Sequence, residues 1–234
     1  MGTGKFRMAV RFSGIAASWL LSAIACSAER QAGVSDWPCY RGHRGDAIVE
    51  DERLAAADLA SGFRKLWSVP LPDEQSADTG PSYARYNTYS GPVVSGGKVY
   101  APCRMGGKDV LSCFDAVSGA LLWRHTIEPP APKDGAGGKE NTGKEYGTGI
   151  RAAPLVHGDL VYVLDYHGRL FCIGRDEGRL VWKRDLVSEF RGRTPPFGAS
   201  ASPVIIDGML IVQPGGPGAA VAASHPCGLR GTPA

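Results

Sequence analysis

The sequence predicts an all-β fold of four-stranded antiparallel units, about two and a half of them, set side by side as a radial or stacked array. Three observations carry this. One phrase occurs twice and begins a third time: Pro92-Val-Val-Ser-Gly-Gly-Lys-Val-Tyr100, Pro154-Leu-Val-His-Gly-Asp-Leu-Val-Tyr162 and Pro203-Val-Ile-Ile-Asp-Gly-Met-Leu-Ile211 each set an apolar residue eight positions after the proline, across a glycine-containing turn. The first two continue in step. Leu111-Ser-Cys-Phe-Asp-Ala-Val-Ser-Gly-Ala-Leu-Leu-Trp123 matches Leu170-Phe-Cys-Ile-Gly-Arg-Asp-Glu-Gly-Arg-Leu-Val-Trp182, with Cys113 over Cys172, Gly119 over Gly178 and Trp123 over Trp182. Glycine also interrupts every window long enough for a helix, at roughly 1 kcal/mol per interior glycine. A period of about 50 to 60 residues carrying four short strands marks a repeating β architecture.

Taken in order, residues 1–28 read as an export signal. Lys5, Arg7 and Arg11 form a basic start, and the apolar stretch from Phe12 to Ala25 is too short to span a bilayer. Ala23-Ile-Ala25 and Cys26-Ser-Ala28 both offer small residues at the two positions a signal peptidase inspects. Ala23-Ile-Ala-Cys26 also loosely resembles a bacterial lipobox without its leading Leu, which makes a lipid anchor at Cys26 a further reading, beside an N-terminal helix packed on the domain. Residues 29–62 read as a strap, with Asp36-Trp-Pro-Cys-Tyr-Arg-Gly42 and a helical-looking run from Asp51 to Leu59.

The repeats occupy residues 63–223. Phe63 to Leu71 alternates polar and apolar residues as a half-buried strand does, and its Trp67 lies 56 positions before Trp123, itself 59 before Trp182. Strands are expected near 91–95, 98–103, 109–115 and 121–127 in unit one, and near 153–157, 160–165, 169–174 and 180–186 in unit two. Glycine-bearing turns separate them. Three long connections, Leu71 to Ser90, Glu128 to Gly149 and Ser188 to Ser200, should emerge on one rim, where a binding surface is expected. Unit three opens from Ser202 to Val212 but lacks its closing phrase. Residues 224–234 read as a non-repeat tail left by a truncation, a frameshift or a fragment boundary, and an arc with two open sheet edges is expected to be marginally stable alone.

The formal charge of +3 is spread along the chain without a run of five like charges, which argues against a nucleic-acid partner. Of the six cysteines, five remain without Cys26, so at least one stays unpaired. Cys113 and Cys172 share a repeat position and read as small buried hydrophobes. With Gly106-Gly107 as a two-residue turn, Cys103 faces Val110 rather than Cys113. No Cys-x-x-Cys spacing supports zinc.

Candidate chemical residues are few. His125 and His157 are expected at strand ends facing water, and Asp165-Tyr-His167 sits at a hairpin tip, where such residues serve turn geometry. Ser200-Ala-Ser202 forms no Gly-x-Ser-x-Gly elbow, and Gly135 to Gly143 has no phosphate-loop spacing. Arg151, just before an inner strand, is the candidate channel-lining residue; pairing with a turn carboxylate is the alternative.

At these residues the chain resembles the pyrroloquinoline-quinone-like β-propeller repeat family, which includes quinoprotein alcohol dehydrogenases and non-catalytic scaffolds of the BamB type. The phrase from Asp115 to Trp123 is similar to the family's tryptophan-docking motif, and unit two departs from it with Gly174 in place of Asp. Asp36-Trp-Pro-Cys-Tyr-Arg-Gly42 is similar to a start common in bacterial exported members, especially planctomycete-type proteins. The resemblance implies a partial β-propeller, with Trp67, Trp123 and Trp182 as structural blade-docking residues. It also implies a periplasmic or cell-envelope location. The expected function is a non-catalytic binding or scaffold module that uses one propeller rim for a protein or envelope component, with no cofactor and no transmembrane span. The alternative is a fragment of a quinoprotein dehydrogenase whose catalytic residues, pyrroloquinoline quinone and calcium site lie outside this chain.

Overall fold

Each of the two complete glycine-punctuated phrases folds as a pair of antiparallel hairpins. The computed structural model describes residues 36–48, 65–70, 88–105, 108–130 and 149–213, with the backbone of 222–224. All of these belong to the unit Gly33–Ala234. Unit one is a four-stranded sheet of β1 (Val93–Ser95), β2 (Lys98–Met105), β3 (Lys108–Asp115) and β4 (Leu121–Ile127), in that spatial order. Unit two repeats it with β5 (Leu155–His157), β6 (Leu160–Leu164), β7 (Arg169–Gly174) and β8 (Leu180–Asp185), and a one-turn helix α1 (Leu186–Glu189) follows. A third sheet sets β10 (Met209–Val212) between β9 (Val204–Ile206) and β11 (Ala222–Ser224). The fold is an open, partial β-propeller of antiparallel sheets.

The two complete units agree residue for residue. Tyr100, Cys113 and Trp123 lie side by side across β2, β3 and β4, as Tyr162, Cys172 and Trp182 do across β6, β7 and β8. Both sheets shift register one residue past the cysteine, between Cys113 and Phe114 and between Cys172 and Ile173. A bulge at that point bends the outer hairpin and re-aims its last strand. The turns agree as well: Gly119 N–H donates to Asp115 O and Gly178 N–H to Gly174 O, both at 2.9 Å.

Alternation along each strand then determines what is buried where. Val161, Val163, Phe171 and Ile173 join Val93, Tyr100, Leu111 and Cys113 in a cluster between units one and two. Their neighbours Tyr162, Leu164, Leu170 and Cys172 face the other way and join Leu210 and Val212 between units two and three. The sheet of unit two is thus covered on both faces, which accounts for its near-continuous apolar runs. Cys103 lies opposite Val110, and Cys39, Cys103 and Cys113 are free thiols.

Some expectations are corrected. Residues 65–70 form no strand, although they alternate as one; alternation selects a face, but a strand also requires a partner ladder, and no described strand lies beside them. The connection after β8 contains α1, capped by the Asp185 carboxylate, which accepts from Ser188 N–H. The export signal with Cys26, the run from Asp51 to Leu59 and residues 225–234 lie outside the described residues, among which no helix is long and apolar enough to cross a membrane.

Because both faces of β7 are buried, Leu170→Ala and Ile173→Ala should each cost about 2–5 kcal/mol although their side chains point in opposite directions. Urea denaturation checks this, and a loss below about 1 kcal/mol for either variant would show that its face is open.

Candidate functional site

Neighbouring units are joined at two levels, one at the outer strands and one at the rim where the inner strands begin. At the outer level the indole of one sheet lies on the glycine turn of the next. Trp123, half-buried on β4, donates its Nε1–H to Arg175 O at 3.0 Å, and a Cβ on Gly178 would come within 2.5 Å of its ring. Trp67 repeats the arrangement one unit earlier: Nε1–H donates to Ala116 O at 3.0 Å, and a Cβ on Gly119 would approach its ring to 2.8 Å. Both glycines have φ near +70°, which L side chains rarely adopt. Trp182 packs on Tyr162 with ring centroids 6.0 Å apart, as Trp123 does on Tyr100 at 5.9 Å.

His125 does not sit at a strand end facing water. It lies within β4, two residues from Trp123 on the same face, with Nδ1 2.9 Å from Gly178 O. A carbonyl only accepts, so Nδ1 carries the proton. Burial holds this imidazole below the usual histidine range, with the Gly178 hydrogen bond opposing. Lys98 closes the same junction, with Nζ 2.6 Å from Asp176 Oδ1. His157 is exposed.

The second level gathers Tyr89, Arg151 and Tyr166 at the start of the inner strands. The Arg151 guanidinium carbon lies 4.7 Å from the Tyr89 ring centroid and 5.4 Å from that of Tyr166, so it stacks between an aromatic of unit one and one of its own unit. One backbone bond and two serine hydroxyls carry the arrangement: Tyr89 N–H donates to Ile150 O at 3.2 Å, Ser90 Oγ–H to Ala152 O at 2.8 Å, and Ala153 N–H to Ser202 Oγ at 2.9 Å. Tyr166 O accepts from Ala199 N–H at 2.9 Å and ties in unit three. Asp165 is fully buried and organises its hairpin tip, taking Arg169 Nε–H at 2.7 Å and the amides of His167 and Arg169. Arg169 in turn reaches Glu128 O at 2.8 Å. In unit one Arg104 lies 3.3 Å from the buried Asp109, whose carboxyl is pushed up to about 7 by burial, with Arg104 opposing and Asp165 adding to the rise.

The model of the family described as outer membrane protein assembly factor BamB matches residues 50–136 and 107–225, together well over half of the sequence. The chain belongs to the BamB family. No curated protein matches it. Among solved structures it is similar to BamB from Moraxella catarrhalis, at 20% identity and TM-score 0.35, over 53% of this chain and 30% of that one. It is also similar to the quinohemoprotein alcohol dehydrogenase from Comamonas testosteroni, at 20% identity and TM-score 0.38, over 54% and 18%. The computationally designed Ika4 protein matches at 14% identity and TM-score 0.29, over 70% and 98%. The chain thus spans less than a third of the length of either natural structure.

In this BamB-family chain two buried carboxylates of the inner hairpins have protein partners: Asp165 is held by Arg169 and two amides, and Asp109 lies against Arg104. No group of three or more His, Cys, Asp or Glu among the described residues is placed to hold a metal ion.

The docking geometry gives a paired expectation. Gly178→Ala must both strain a φ of +69° and displace an indole, whereas Gly158→Ala, at φ +56° with open space around it, bears only the backbone strain. Denaturant titration should show a loss of about 1–2 kcal/mol for Gly158→Ala and about 2–4 kcal/mol for Gly178→Ala; equal losses would contradict the close approach. The Asp109 carboxyl gives a pH dependence. Its folded value lies above the unfolded value of about 3.9, so the folded state holds the extra proton and stability falls as pH rises from about 4 to about 7. Asp109→Asn should flatten that slope in melts recorded across the window, and an unchanged slope would assign it elsewhere.

Proposed function

We propose that this chain is an exported β-propeller module of the cell envelope that works by binding, with the rim around Arg151 as its contact surface for a protein or other envelope component. Trp67, Trp123 and Trp182 act as blade-docking residues and Arg151 as a channel-lining residue. The observation that carries the reading is the stacked Tyr89–Arg151–Tyr166 cluster, in which Tyr89 keeps half of its surface exposed beside a held guanidinium. Tyrosine and arginine fixed in place lose little freedom on association and are the residue types that dominate interface energies. Membership in a family described by outer-membrane protein assembly supports an envelope location and a protein partner.

Pull-down from envelope extracts with the full chain tests this. Tyr89→Ala should reduce capture of the partner at least tenfold while the melting temperature stays within a few degrees. Capture indifferent to Tyr89 would move the surface elsewhere. Alcohol-dependent dye reduction after addition of pyrroloquinoline quinone and calcium would replace the binding reading with the dehydrogenase one.

A further inference from the structure

The segment from Asp36 to Gly42 runs across the inner strands rather than along the outside of the sheets. In unit one the register Ser95–Lys98 and Val93–Tyr100 uses the inward backbone groups of β1, and Val94 points its own N–H and C=O away from β2. Those two groups are taken by Trp37, whose N–H donates to Val94 O at 2.6 Å and whose O accepts from Val94 N–H at 2.9 Å. Val156 holds the same position in β5, and its N–H donates to Pro38 O at 2.8 Å. Ile205 is the third residue of this register, and it packs with Cys39 on the cluster between units two and three. Trp37 and Pro38, successive residues of one short segment, therefore meet successive units, and Cys39 packs on the cluster between units two and three. Asp36 fixes one end of it, with its carboxylate accepting from Gly96 N–H at 3.0 Å and from Ser95 Oγ–H at 3.3 Å. A turn closed by Gly42 N–H to Cys39 O fixes the other, with the Trp37 ring folded onto Gly42.

We infer that Asp36–Gly42 is an axial belt: it pairs with the backbone edges of the inner strands of units one and two, packs through Cys39 on the cluster between units two and three, and so ties adjacent units together on the axis side. An unpaired strand edge is a template for another chain, and the belt occupies these edges from within the same molecule. The device holds adjacent sheets together from the axis side, and displacing it would bare β1 and β5 for pairing with a second copy.

Cys39 reports on the belt. In the full chain, alkylation followed by peptide mass mapping should show Cys39 reacting at least tenfold more slowly than in urea. Gly42→Val places a side chain within 2.8 Å of the Trp37 ring. It should restore fast Cys39 labelling while Cys103, Cys113 and Cys172 stay protected, and sedimentation should reveal new dimers or larger species. Labelling of wild-type Cys39 at the urea rate overturns the inference, and so does a Gly42→Val chain that keeps its cores protected, its Cys39 slow and its monomeric state. If Gly42→Val exposes all four thiols, Asp36→Ala, which removes only the acceptor for Gly96 and Ser95, must release Cys39 selectively; failure to do so overturns it equally.

Discussion

The structure depends on the approach of a tryptophan to a glycine. An indole from one sheet reaches the turn of the next so closely that no Cβ fits between them, and its single N–H is satisfied by a backbone carbonyl of that turn. The contact joins a large apolar area, worth a few kcal/mol at about 25 cal/mol per Å², to one directional bond that sets the angle of the ring. Because the same turn repeats, the spacing between sheets repeats, and two-sided burial of unit two follows. The rim inherits its geometry from this. Arg151 meets Tyr89 because the inner strands of adjacent units begin at one level.

Much of this was legible in the sequence. The strands of units one and two lie within about two residues of where the phrases place them, because glycine turns and period-two alternation are local signals. The shared register of Tyr, Cys and Trp was legible for the same reason. The family reading also stands on these residues: the match extends over both complete units and the opening of the third.

What escaped notice depends on contacts distant in sequence. Residues 65–70 alternate like a strand but have no ladder among the described residues, and nothing local distinguishes the two cases. His125 looked like a surface residue because its partner, Gly178 O, is a backbone atom 53 positions away with no side-chain signature. Asp165 serves its turn as the sequence suggests, and its complete burial is what the local pattern does not show, since its pairing with Arg169 lies only four residues away. The pairing of Trp37 with Val94 across 57 positions is backbone to backbone and leaves no trace in composition. Unit two shows the converse: Gly174 lacks the carboxylate with which Asp115 caps its turn, yet both turns keep the same backbone bonds. The cap reinforces a geometry that the glycine at positive φ and the docked ring already impose.

The central claim concerns indole N–H groups held by a neighbouring sheet, and the chain carries five tryptophans to compare. Hydrogen exchange of the indole N–H signals, followed by NMR in nitrogen-15 tryptophan-labelled protein, addresses it most directly. The account predicts that the Trp67 and Trp123 signals exchange at least a hundredfold more slowly than in the denatured chain. Exchange of Trp123 at the denatured rate, in a chain whose strand amides remain protected, would contradict it.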